Sequence, residues 1–231
     1  MARLPRIVIA GTPHHVTQRG NRRQQIFFAD DDYALYKDLL AERCQHNQVS
    51  VWAYCLMPNH VHLIVTPATS HGLSRAIGEA HRRYTAYINA RERVTGHLFQ
   101  ARFNSVAMDE AHCLAALRYV AMNPVRANLV TQPAAWPWAS TRTHLTGEAD
   151  GLVDPAPVRE LVSDYAAFLE ESPDAALVAA LRTGQSIGRP LMSDDRLKVL
   201  ESLLNRRLRP RRRGPKPRQG QRQGGQKDLD V

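Results

Sequence analysis

The sequence predicts an α+β fold, a small and mostly antiparallel sheet with helices packed on one face. Three observations carry that reading. The first half of the chain runs strand, helix, hairpin, helix, strand, helix, an order that suits a sheet covered by helices. Two β-rich runs are separated only by Pro58-Asn59, too short a link for anything but an antiparallel pair. No segment repeats, and no apolar run approaches the length of a membrane span.

Each element has its own local cause. Residues 14–21, HHVTQRGN, alternate as a strand does, and Gly20-Asn21 stops it. Asp30-Asp31-Asp32 opens a helix to His46, because carboxylates suit the positive end of a helix dipole. Tyr33, Leu35, Tyr36, Leu39 and Leu40 then recur at helical spacing. Residues 49–57 and 60–66 form the hairpin, and residues 73–93 a helix with Ile77, Tyr84 and Ile88 on one face. Residues 97–108 read as a strand, and Asp109-Glu110 starts a helix through Leu114, Leu117 and Tyr119 to Asn123-Pro124. Beyond it, residues 133–158 read as Pro- and Gly-punctuated loop, 158–181 as an acidic helix, and 194–208 as an amphipathic helix. From residue 209 no apolar side chain appears until Leu229, so this stretch cannot bury a core and is expected to be disordered without a partner. The expected organisation is a domain over 1–132, a loop and helical extension over 133–208, and a basic tail over 209–231.

Charge points to a polyanion. The net charge of +9 is divided unevenly: residues 1–130 hold 15 Lys+Arg against 9 Asp+Glu, 131–204 hold 6 against 11, and 205–231 hold 10 against 2. A basic body and a basic end suit nucleic acid, although basic tails also serve as solubilising arms. Cys44, Cys55 and Cys113 are odd in number and far apart, with no CxxC pair, which reads as reduced thiols of a cytoplasmic protein. The apolar stretch 7–10 is too short for a signal-peptide core.

Two small patterns could carry chemistry. His60 and His62 sit two apart on a predicted strand, so both imidazoles face one way, with Val61 and Leu63 facing the other. Such a pair can grip a divalent ion, or it can arise by chance in a chain with ten histidines. Tyr119 and Asn123 are one helical turn apart. An amide oxygen is an acceptable hard ligand for Mg²⁺ or Mn²⁺, yet Asn before Pro124 is also a favoured helix cap, and Tyr119 could be a core aromatic. Tyr84 and Tyr87 lead four residues on to Ile88 and Arg91, neither of which is ligand-like, so they read as core or DNA contacts.

In combination these patterns are more specific. MPNHVHLIV, RFNSVAMDEAHCLAALRYVAMNPVRANLV and TPHHVTQRGNRRQQIFFADDDY occur together with WPWAS and IGRPLMSDDRL. The chain thereby resembles the HUH-type single-tyrosine transposases, most closely the branch associated with repetitive extragenic palindromes. The resemblance implies a ferredoxin-like nuclease fold, Tyr119 as nucleophile, and a Mg²⁺ or Mn²⁺ ion held by His60, His62 and Asn123. Insertion-sequence relatives carry Gln where this chain has Asn123, which is one methylene shorter. It further implies cleavage of single-stranded or hairpin DNA through a 5′-phosphotyrosine, in a bacterial-type cytoplasm beside the nucleoid, by a monomer or homodimer.

Phosphate contacts are expected from Arg19, Arg22, Arg23, Arg82, Arg83, Arg102 and Arg126, since the guanidinium fork matches phosphate. Gly188-Arg189-Pro190 looks like a basic hook for a narrow minor groove, whereas the tail segment from Arg213 to Arg218 departs from that Gly-Arg-Pro core and, with Arg211 and Arg212, reads as generic basic binding to DNA. Trp136 and Trp138 could stack bases or pack the loop onto the domain. Two rivals remain at this point: a non-catalytic nucleic-acid-binding regulator on the same fold, and a small-molecule metal hydrolase built on the His pair.

Overall fold

A computed structural model describes residues 6–209, without the side chains of 185–187. Four strands, β1 (His14–Arg19), β2 (Val49–Met57), β3 (His60–Pro67) and β4 (Asn104–Ala107), form one sheet in the order β2-β3-β1-β4. Every neighbouring pair is antiparallel. The hairpin closes with Met57 opposite His60. Helix α1 (Asp30–His46) lies between β1 and β2, and α2 (Gly72–Glu92) between β3 and β4. Asp32 fixes the start of α1: its carboxylate accepts from the backbone N–H of Phe28 at 2.8 Å and Ala29 at 3.2 Å. The same carboxylate pairs with Arg91 in the last turn of α2, which ties the two helices together.

Helices cover both faces, not one. Val16, Tyr54, Leu56, Val61, Leu63 and Val65 pack against Tyr36 and Leu40 of α1 and Ile77 and Tyr84 of α2. Ala53, Cys55, Met57 and Ile64 point the other way, onto Cys113, Leu117 and Val120 of α3 (Glu110–Ala121) and Leu181 of α8 (Ala175–Ile187). A bulge between Val51 and Ala53 shifts the alternation of β2 by one residue, so Val51 and Tyr54 share a face. The signal was present in VSVWAYCLM, an almost unbroken apolar run of the kind a strand buried on both faces needs.

Elsewhere the boundaries shift for identifiable reasons. Residues 97–103 do not extend β4; they run as a loop in which Phe99 makes a single bridge to Gly20 and Ala101 takes a φ of 54°. The acidic stretch 158–181 is three helices, α6 (Ala156–Leu161), α7 (Tyr165–Glu170) and α8. Asp164 and Asp174 each accept backbone N–H groups as caps and so restart the chain twice. Short helices α4 (Asn123–Arg126) and α5 (Thr141–Thr146) precede them, and α9 (Asp194–Leu203) ends five residues before the expected Leu208. After α8 the chain returns to the sheet: the Leu191 N–H donates to the Ala107 carbonyl at 2.8 Å, and the Asp109 N–H to the Leu191 carbonyl at 3.0 Å. Trp136 and Trp138 pack against the first core, Trp138 stacking on Tyr33 at 4.9 Å, rather than presenting free faces. No helix of the described residues is long and apolar enough to cross a membrane.

Buried imidazoles make this fold acid-sensitive. Burial lowers His81 to about 3, with the Arg6 charge adding to it, while its Nε2 lies 2.8 Å from the Tyr36 hydroxyl. Below an unfolded pKa of about 6.5 the unfolded chain takes up a proton that the folded chain refuses, so stability falls as pH falls. This one residue is expected to remove about 2 kcal/mol between pH 7 and 5. Urea melts at both values should show that His81→Gln, which keeps an acceptor for Tyr36, flattens the dependence by that amount.

Candidate active site

Pairing of β1 with β3 sets Thr17 opposite His62 and His15 opposite Ile64. Alternation therefore puts His15, His60 and His62 on the face covered by α3. His15 and His62 stack with ring centroids 5.2 Å apart, and Nε2 of His15 lies 2.9 Å from Nδ1 of His62. His60 stands edge-on to His62 at 5.0 Å, and its Nδ1 lies 2.6 Å from Oδ1 of Asn59. An amide oxygen only accepts, so His60 carries its proton on Nδ1 and leaves Nε2 as a bare lone pair. Nε2 of His62 likewise has no hydrogen-bond partner among the described residues.

Electrostatics keep these rings neutral. Burial lowers His15 to about 4, and burial with the nearby Arg19 charge lowers His60 to about 4. His62 lies well below the ordinary range, first through burial, then through its neighbours His15 and His60. Neutral imidazoles are the form that binds metal ions.

Helix α3 carries the phenol across this face. Asp109 caps it through the His112 N–H at 3.1 Å, and Cys113, Ala116, Leu117 and Val120 bury its inner side. Tyr119, half-buried, meets His62 edge-on at 5.6 Å and His15 at 6.2 Å. Its hydroxyl makes no hydrogen bond among the described residues. Asn123 follows one turn later, in the first position of α4. It is not the cap: Met122 occupies that position, and no side chain caps the turn. The Asn123 side chain is buried with Nδ2 unpartnered. Arg126 closes the turn, its guanidinium 3.9 Å from the centre of the Tyr119 ring and its Nη2 donating to the Tyr119 carbonyl at 2.8 Å.

A divalent ion fits this donor set. Two neutral imidazoles each offer an unengaged Nε2, and both rings are steadied from behind, by Asn59 and His15. Among the described residues no three His, Cys, Asp or Glu side chains form a metal cage. A third protein ligand would then have to be of another residue type, such as the buried Asn123 amide.

The other expected contacts sort differently. Arg19 is exposed and paired in register with His60, and Arg22 and Arg23 project from a tight turn with φ of 53° and 64°. Arg102 is exposed on the loop before β4. Arg82 and Arg83 are engaged by Glu79, and Arg83 also by Glu42. Arg189 donates to the Leu208 carbonyl at 2.6 Å, which ties down the supposed hook. Arg211, Arg212 and Arg213 lie outside the described residues, as does all of the expected tail except Arg209, which pairs with Glu201. Tyr84 is a core residue whose hydroxyl donates to the Ile26 carbonyl at 2.5 Å, and Tyr87 stacks with Arg91.

Two residues of the site went unread in the sequence. His15 had a signal, the second histidine of HH on a strand whose alternation places it inward. Arg182, with its guanidinium 5.9 Å from the Tyr119 ring centre, comes from α8, and nothing in its neighbourhood of the sequence marks it.

The fold has counterparts among known proteins. The IS200-like transposase family matches residues 10–123. A solved REP-associated tyrosine transposase bound to a REP hairpin superposes with a TM-score of 0.54 at 21% identity, over 67% of this chain and 92% of that one. A transposase-like protein from Deinococcus radiodurans R1 aligns with a TM-score of 0.36 at 19% identity, over 55% of this chain and 92% of that one. No curated protein matches the chain.

Proposed function

Since residues 10–123 belong to the IS200-like transposases, we propose that this chain is a DNA endonuclease and strand transferase that cuts single-stranded or hairpin DNA with Tyr119. The observation that carries the proposal is the half-exposed Tyr119 ring, set edge-on to His62 beside two imidazoles with unengaged Nε2 atoms. A small-molecule hydrolase would need neither this phenol nor the arginines around it. The similar solved protein is bound to a REP hairpin, which favours a hairpin as the substrate of this one too.

The chemistry follows from the groups present. The Tyr119 oxygen attacks phosphorus, and the bond from phosphorus to the 3′ oxygen breaks. The phenol proton passes to water and the departing 3′ oxygen takes one up, leaving a 5′-phosphotyrosine and a free 3′-hydroxyl. One phosphodiester replaces another, so rejoining needs no nucleotide cofactor. Bound Mg²⁺ or Mn²⁺ would neutralise charge developing on the phosphate. His60, His62 and Asn123 are the residues proposed to hold it, with Asn59 and His15 fixing the two rings. Arg19, Arg22, Arg23 and Arg102, exposed and without acidic partners among the described residues, would follow the DNA backbone.

Incubating the full chain with end-labelled hairpins and Mg²⁺ or Mn²⁺, then resolving the products under denaturing conditions, tests this reading. A labelled band that migrates with the protein is expected. Cleavage without such a band would contradict a tyrosine nucleophile, and intact DNA in every condition would favour a binding-only regulator.

The steadying role of His15 has its own expected result. His15→Phe keeps the stacked ring but removes the partner of His62 Nδ1, and loss of such a support weakens metal binding by about 10- to 100-fold. Calorimetric titration with Mn²⁺ would read this directly. Unchanged affinity would show that His62 orients itself.

A further inference from the structure

Two guanidinium groups converge on the Tyr119 ring with no acid between them. Arg126 covers the ring at 3.9 Å, and Arg182 reaches it from α8 at 5.9 Å. The charged and titratable groups that interact with Arg126 are Tyr119, Arg182, Cys55 and His62, and none is a carboxylate. Neither arginine makes a salt bridge among the described residues, whereas Arg82, Arg83, Arg91, Arg118 and Arg142 all do. Like charges brought together without a counter-ion repel, and an anion arriving between them relieves that repulsion.

We propose that Arg126 and Arg182 are a two-arginine clamp for the scissile phosphate, so that α8 of the C-terminal extension completes the active site. The proposal rests on Tyr119 as nucleophile and adds the group that presents phosphorus to it. Arginine suits the task because its planar fork matches two phosphate oxygens and stays charged at any working pH.

The surrounding structure holds both arginines in place. Arg126 is tethered by its donation to the Tyr119 carbonyl. Arg182 follows Leu181, which is buried in the second core, and α8 is capped by Asp174 through the Ala176 and Leu177 N–H groups. Two residues further along α8, a Cβ on Gly184 would lie 3.1 Å from the Leu191 side chain, so the helix sits close against the strand-like segment that joins it to β4. The extension is thereby built against the sheet that carries the histidines, with one exposed basic side chain at the phenol.

The test uses the full chain labelled at arginine Nε and titrated with inorganic phosphate. The Nε–H resonances of Arg126 and Arg182 should move together and saturate at one concentration. In Arg182→Ala the Arg126 response should need about tenfold more phosphate, and Arg182→Lys should restore part of the loss. Resonances that drift without saturation like those of other exposed arginines, or an Arg126 response untouched by Arg182→Ala, would overturn the clamp. On cleaved DNA, Arg182→Ala should lower the single-turnover rate by about 10- to 100-fold with little change in the DNA concentration needed for half-saturation. Because Arg182 is exposed, the melting temperature should stay at the wild-type value; Arg182→Gln repeats the test if it does not. A covalent adduct that persists in Tyr119→Phe would refute the nucleophile while leaving the phosphate titration to decide the clamp.

Discussion

Tyr119→Phe should lose covalent attachment to DNA entirely while remaining folded and bound to its substrate. The phenol oxygen is the only atom removed, and it makes no hydrogen bond among the described residues, so the stability change should be under about 1 kcal/mol. The ring contacts with His62, His15 and Arg126 survive the substitution. DNA affinity should therefore stay within a few-fold of wild type. No other tyrosine can replace the lost oxygen: Tyr33, Tyr36, Tyr54, Tyr84 and Tyr165 are buried, and Tyr87 sits on α2, across the sheet from the histidines. Gel detection of the adduct, beside a binding curve for the same oligonucleotide, gives both quantities. An adduct that survived at even a tenth of the wild-type level would place the nucleophile elsewhere.

Removing the imidazoles proposed to hold the metal should separate cutting from binding. His60→Ala is the cleaner variant because His60 is half-buried and its ring hydrogen-bonds to its chain neighbour Asn59. His62→Ala would also strip His15 of its partner and open a buried space, at a cost of about 1–3 kcal/mol. Both should lower cleavage by at least about 10³-fold, on the scale expected when charge stabilisation at a phosphate is lost. Binding should change little, since it comes from arginines spread over other elements. Measured rates in added Mn²⁺ would check this, and a His60→Ala protein that cut DNA normally after chelator treatment would remove the metal from the account. Asn123 can be judged in the same assay. It does not cap α4, so a loss of activity in Asn123→Ser cannot be assigned to the helix end.

How much of this was legible in the sequence depends on how local the cause is. Asp30-Asp31-Asp32 and the Pro58-Asn59 break act over a few residues, and both elements they define appear where the pattern placed them. The His60-x-His62 face followed from strand alternation alone. The second covered face was signalled only by the unbroken apolar run of β2, and what covers it was not legible, because α3 and α8 arrive from distant parts of the chain. Residues 97–103 carry strand-like side chains, but pairing with β1 is confined to residues 104–107 beyond the Ala101 turn. His15 was hidden by its partner, since only the β1–β3 register reveals that it lies against His62. Arg182 was hidden more thoroughly: it meets Tyr119 across 63 residues of chain, through packing of one helix on another. The arginines expected on DNA divide for a related reason. Spacing shows that a guanidinium exists, but only the fold shows that Glu79 or a carbonyl has already engaged it.

The central claim is a covalent bond between Tyr119 and a 5′ phosphate. It is tested most directly by trapping the protein on a cleaved hairpin, digesting the complex with protease and nuclease, and weighing the modified peptide. The account predicts a nucleotide linked through its 5′ phosphate to the peptide containing Tyr119, with a free 3′-hydroxyl on the released strand. A nucleotide on any other residue, or a 3′-phosphate linkage, would contradict it.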